Sequence, residues 1–167
     1  MARLVPRTIV VGIDATAASA QVLDSAFALA EAVAARVIVV HVLAPDGAPG
    51  LDAEQLARMV DASRSRVGAR LPSDQLLLAA PDAATGVVRV ARREGADLIV
   101  VGNGRCAGDP SPADALDAPP TGRRAGRCPL SLLAMADCPV LAVDGDDAPS
   151  LASPCWRARH QATSGPW

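Results

Sequence analysis

ADLIVVG, residues 96–102, is an apolar run without polar alternation that stops at a glycine. A strand with one face in water alternates with period two, whereas a strand covered by helices on both faces does not, and Asp97 to Val101 reads as the second kind. After Gly102 come Asn103, Gly104 and Arg105, a Pro- and Asp-rich stretch, and then GRCPLSLLAMADCPVLAV over 126–143. Gly126 opens a short helix that must close before Cys138-Pro139, and Pro139 to Val143 reads as a last strand. Strand, glycine turn and helix N-terminus in that order leave uncommitted backbone N–H groups at the positive end of a helix dipole, a setting suited to an anion.

The rest of the chain repeats the strand signal. TIVVGID (Thr8 to Asp14) and RVIVVHVL (Arg36 to Leu43) are again apolar on both faces, and Gln75 to Ala80 is a shorter third strand. Between them the spacing predicts helices over Ala17 to Ala35, Asp52 to Leu71 and Pro81 to Glu94. Asp52 is expected to cap the second, Pro72 to stop it, and Gly95 to close the third. Strands alternating with helices demand a parallel, doubly wound α/β sheet with right-handed crossovers. In such sheets ligands sit outside the carboxyl ends of the strands, where Asp14 falls. The alternative role for Asp14, or for Thr16, is to accept orphan N–H groups of the following helix. His41, inside an apolar strand, reads as a satisfied core histidine and Phe27 as core filler.

Composition narrows the function. The 167 residues suffice for one domain; half are hydrophobic but only 2% aromatic, so the core is built of Ala, Val and Leu. Sixteen basic and 18 acidic residues give a net charge of −2, which does not suit a nucleic-acid partner. Every basic residue is arginine, which excludes a phosphate-loop lysine, a Schiff base and the lysine of a phospho-acceptor receiver domain. No run approaches the ~20 apolar residues of a membrane span and MARLVPRT lacks a signal-peptide core, so no membrane association and a cytoplasmic location are expected. The four cysteines have no C-x-x-C spacing and only two histidines accompany them, so no metal site is expected; Cys106, beside Arg105, is the candidate for a redox-sensitive thiol. Neither G-x-S-x-G nor H-E-x-x-H occurs, and no enzyme activity is expected.

ADLIVVG, the glycine-containing loop, Gly126 and the closing CPVLAV resemble the C-terminal half of the universal stress protein family, and IVVGIDATAASAQVLDSAFALAEAVAARVIVVHV resembles its first half. The resemblance implies five parallel strands in the order 3-2-1-4-5, of the adenine nucleotide alpha hydrolase-like kind. It implies that Asp14 meets the adenosine end of a nucleotide and the Val42 backbone its adenine. Val101 and Gly102 would lie beneath the phosphates, with Gly126 and Arg127 beyond them, and the ligand would be ATP with Mg²⁺. It also implies a homodimer through Pro139–Val143. The phosphate loop departs from the family pattern: Arg105 stands where a second glycine is expected, Arg127 replaces a Ser/Thr, and the interval from Gly102 to Gly126 is about eleven residues too long.

The domain is therefore expected over 1–144, with a mobile insert at 104–124 and a disordered tail at 145–167, where Trp156-Arg157 offers a contact for an unknown protein partner. Two functions follow. The leading one is a dimeric, non-catalytic stress-response or signalling module with at most a degenerate nucleotide site. The alternative is an ATP-binding protein whose Arg105, Arg123, Arg124 and Arg127 hold phosphate in place of the missing residues.

Overall fold

The structure is a computed structural model of the chain. It describes residues 5–16, 18–43, 50–103 and 127–143, apart from the side chains of Arg127 and Cys128. The expected insert at 104–124, the tail at 145–167, Gly126, Cys106, Trp156 and the arginines at 105, 123 and 124 lie outside the described residues.

Nine elements follow in order: β1 (Thr8–Ile13), α1 (Ala18–Val33), β2 (Arg36–Leu43), α2 (Ala53–Val67), β3 (Ser73–Ala79), α3 (Ala83–Glu94), β4 (Leu98–Gly102), α4 (Arg127–Met135) and β5 (Val140–Val143). All four strand pairings are parallel and the sheet order is β3-β2-β1-β4-β5, as expected. The crossovers switch sides after β3, so α1 and α2 cover one face and α3 and α4 the other. Alternate residues of one strand therefore enter two different cores. Ile9, Val11, Val37 and Val39 join Phe27, Leu23 and Leu56 under α1 and α2, while Val10, Ile38, Val40 and Ile99 join Val87, Val90 and Leu132 under α3 and α4. This double burial is why the strand sequences carry no polar alternation.

The helix boundaries follow local chemistry. Asp52 caps α2 by accepting from the Gln55 N–H, and the Gln55 side chain accepts the Asp52 N–H in return, a full capping box. Pro72 is not what stops α2: Gly68, at φ +67°, adopts the left-handed conformation and ends the helix four residues earlier. The chain then turns on Glu31 of α1, which accepts the N–H groups of Arg70 and Leu71. β3 accordingly starts two residues before its expected position, at Ser73. Asp82, not Pro81, sets the start of α3, and Gly95 closes it at φ +61°.

At the amino edge of the sheet, Asp97 acts before β4 begins. Its Oδ2 accepts from the backbone N–H of Arg7 and Thr8 at 2.9 and 3.0 Å, and its own N–H donates to the Thr8 carbonyl. β1 is thus aligned on β4 at its first residue, and the ladder runs from Ile9 opposite Leu98 to Gly12 opposite Val101. Among the described residues, no helix is long and apolar enough to cross a membrane.

Candidate functional site

The register gives the carboxyl edge its shape. β1 ends at Ile13, opposite His41, while β2 runs on through Val42 and Leu43 paired with Leu78 and Ala79 of β3. β1 is therefore recessed, and Asp14 leaves it at the floor of a notch beside the overshooting end of β2. On the other side β4 finishes at Gly102, opposite Val143, and the Asn103 N–H donates to the Val143 carbonyl at 2.7 Å. The notch lies where connections depart to opposite faces, the place at which open α/β sheets bind ligands.

Asp14 is exposed, and its two oxygens have different surroundings. Oδ1 accepts from the Thr16 N–H at 2.9 Å, the Thr16 hydroxyl at 2.5 Å and the Ser19 hydroxyl at 2.8 Å. No described residue donates to Oδ2 among the bonds formed at this turn, and the carboxylate is exposed. Among the described residues Asp14 accepts no backbone N–H of α1, the role the alternative reading gave it; it closes an Asx-type turn on Thr16 and takes the hydroxyl of Ser19 from the first turn of α1. Ser19 is buried and also accepts the Asp14 N–H at 3.1 Å. Sequence reasoning missed Ser19; its position five residues beyond the acid, on an otherwise apolar helix face, was the available signal.

Val42 lies one residue before the end of β2, with its side chain turned under α3. The approach is close: a Cβ on Gly86 would lie 2.5 Å from one Val42 methyl and 3.1 Å from the other. Val101 is buried beneath α3, and Gly102 ends β4 at the rim. Arg127 is the first residue of α4 and Gly126 lies outside the described residues, so of the expected site positions the structure brings Asp14, Val42, Val101 and Gly102 to one edge of the sheet. Pro129 stands in the first turn of that helix. Having no N–H, it removes one of the donors a helix N-terminus normally offers an anion.

His41 is buried and its ring is satisfied on both sides, as expected of a core histidine. Nδ1 lies 3.0 Å from the Ile13 carbonyl, and Nε2 accepts the Leu51 N–H at 2.9 Å. Phe27 is core filler, also as expected. Arg92, although exposed, pairs with Asp137 at 2.7 Å and donates to the Met135 carbonyl, tying α3 to the end of α4. Two surface concavities, about 410 and 350 Å³, lie at the opposite, amino edge of the sheet, around Arg64, Gly68 and Arg70 and around Arg92, Ala96 and Cys138. Neither coincides with the notch. Burial, with the charges of Asp137 and Asp97 nearby, pushes the Cys138 thiol up, the opposite of a reactive cysteine. Among the described residues no three His, Cys, Asp or Glu side chains gather as metal ligands.

A recessed first strand ending in a carboxylate, in a 3-2-1-4-5 parallel sheet with two helices on each face, defines an adenine nucleotide alpha hydrolase-like domain. Residues 6–144 match the model of the universal stress protein family, and the chain belongs to that family. It is similar to a universal stress protein solved in complex with cAMP, at 26% identity over 84% of this chain and 98% of the other, with a TM-score of 0.64. A family member from Burkholderia pseudomallei is 25% identical over 86% of this chain and 98% of its own, with a TM-score of 0.53. A third, from Archaeoglobus fulgidus in complex with dAMP, shares the fold at 19% identity over 84% and 99%, with a TM-score of 0.58. No protein of curated function matches the chain at a significant level.

Proposed function

We propose that the protein is a non-catalytic signalling module of the stress-response kind that works as a homodimer and retains the nucleoside half of an adenine nucleotide site. The observation that carries this reading is the exposed Asp14 carboxylate at the carboxyl edge: Oδ1 is held by the Thr16 N–H and hydroxyl, with the Ser19 hydroxyl shared between it and the Asp14 carbonyl, which orients the group. An anionic acceptor held in one direction suits a hydroxyl or amino donor of a nucleoside. The similarity to a universal stress protein in complex with cAMP supports the same ligand class.

The phosphate side is poorer. Arg105 and Arg127 replace the backbone-permissive glycine and the hydroxyl of the family loop, and Pro129 takes a donor from the first turn of α4. Each added phosphate then contributes little, and Mg²⁺, arriving only with a polyphosphate, changes little as well. Among the described residues no general base stands beside the start of α4, and the reading includes no hydrolysis. The dimer would form through β5, a four-residue apolar edge strand whose Leu141 is 42% exposed.

Calorimetric titration with AMP, cAMP and ATP tests the reading. AMP and ATP should bind within about tenfold of each other, equivalent to ~1.4 kcal/mol. Asp14→Ala should weaken all three by about 1–3 kcal/mol, the range for losing a hydrogen bond to a charged group. Unchanged affinity in that variant would remove Asp14 from the site, and ATP binding a hundredfold more tightly than AMP would restore the triphosphate reading, in which the arginines take over the phosphate loop.

A further inference from the structure

The peptide unit joining Ile13 to Asp14 is held at both of its polar ends. Its carbonyl accepts from His41 Nδ1 at 3.0 Å, and its N–H donates to Ser19 Oγ at 3.1 Å. Because a peptide is planar, turning this unit breaks both bonds at once, and its orientation sets the direction in which the Asp14 side chain leaves the backbone. On the far side of the imidazole, Nε2 accepts the Leu51 N–H at 2.9 Å, one residue before the Asp52 cap of α2. Nε2 must therefore carry a lone pair and Nδ1 the proton, so the ring is neutral in a single tautomer. Gly50 admits it: a Cβ there would lie 2.8 Å from Nε2, too close for any other residue without displacing the ring or the chain.

We propose that His41 is a positioning residue for the nucleoside end of the site. As a neutral Nδ1–H imidazole it couples the entrance of α2, at Gly50 and Leu51, to the last carbonyl of β1, and through the 13–14 peptide it aims the Asp14 carboxylate. The proposal rests on the nucleotide-binding reading above. It extends that reading because His41 touches no ligand and the glycine at position 50 becomes part of the site's support.

The test uses His41→Leu, His41→Asn and Gly50→Ala in the full chain, with AMP as the probe. Asparagine places a donor where Nδ1 stands and keeps the Ile13 bond; leucine removes both bonds. In folded His41→Leu, AMP affinity should fall at least tenfold, His41→Asn should recover most of the loss, and Gly50→Ala should weaken binding with the imidazole still present. A merely structural histidine would lower the unfolding midpoint in all three and leave the AMP affinity of the folded chain unchanged, which would overturn the proposal. Where His41→Leu does not fold, Gly50→Ala and His41→Asn decide by the same affinity readout. The ¹⁵N spectrum of the ring separates this failure from failure of the nucleotide reading. If the unmodified chain binds no AMP, the function proposed above falls, while a ring protonated on Nδ1 alone, with slow hydrogen exchange at the Leu51 and Asp14 amides that Gly50→Ala accelerates, still supports the coupling. A ring protonated on Nε2 would overturn it outright.

Discussion

Gly86→Ala should destabilise the protein although it places a better helix former inside α3. In an exposed helix the change would stabilise by about 0.5–1 kcal/mol, because glycine loses more backbone freedom on folding. Here the new methyl would lie 2.5 and 3.1 Å from the two methyls of Val42 and 3.2 Å from the Ala80 Cβ, so the nearest contact is about 1 Å inside ordinary van der Waals separation. Val42 cannot yield by rotating: one staggered step moves a single methyl away and leaves the other facing the helix, and an off-rotamer β-branched side chain is itself costly. α3 must then lift from β2. Overpacking of this kind costs about 1–3 kcal/mol; less the helix-propensity gain, Gly86→Ala should lose about 1–2 kcal/mol. Urea unfolding measures it directly, and thermal unfolding should fall by roughly 2–8 °C at about 2–4 °C per kcal/mol for a domain of this size. Adding Val42→Ala should recover stability in the Gly86→Ala background while costing stability in the unmodified chain, a coupling of opposite sign in the two backgrounds. A Gly86→Ala protein as stable as the parent, or additive effects of the two substitutions, would show that α3 and β2 have room to spare.

Gly68→Ala and Gly95→Ala each meet nothing within 4 Å but hold φ at +67° and +61°, so each should cost about 1 kcal/mol from backbone conformation alone, with no rescue from a second site. Stability should fall in acid. Burial pushes the Asp24 carboxyl up, but hydrogen bonds from Arg66 and Ser63 and the Arg66 charge outweigh it and hold the group below its ordinary value. A depressed folded-state value means that this stabilisation is complete above the ordinary aspartate value of about 3.9 and disappears as pH falls through the lower folded value. Asp24→Asn should flatten that part of the acid limb in urea titrations from pH 6 to 3, and an unaltered limb would refute the assignment. Leu141→Arg should convert the β5 dimer to monomers in light scattering, by bringing two like charges together at the twofold axis; an unmodified chain that is already monomeric at micromolar concentration would remove the dimer from the proposal.

The sheet was legible because each of its inner strands has to satisfy two cores, and only uninterrupted Val and Ile runs do so. The failures lay where a single backbone torsion or a distant partner decides. Pro72 looked like the end of α2, yet Gly68 ends it by turning left-handed, a choice the tertiary bonds of Glu31 to Arg70 and Leu71 make favourable. The exposed pair of Arg92 and Asp137 was out of reach for another reason, since the partners are 45 residues apart. Asp14 and Val42 were legible through the family pattern as positions at the carboxyl edge of the sheet. The contacts of Asp14 with Ser19 and of Gly50 with His41 were not: neither residue carries a motif, and both contacts exist only once α1 and α2 lie on the same face as His41.

Asp97 separates two duties that a parallel sheet could have combined. By taking the Arg7 and Thr8 N–H groups it settles the alignment of β1 on β4 at the amino edge, before either strand reaches its functional end. No hydrogen bond at the notch is then needed to keep the strands in step. A lineage can lengthen the chain after Asn103, replace the phosphate-loop glycine by arginine or place proline in α4 while the alignment of its first strand persists. Loss of ligand in this architecture is thus a change a folded protein survives, and the opposite edge, although it touches no ligand, is where drift is least affordable.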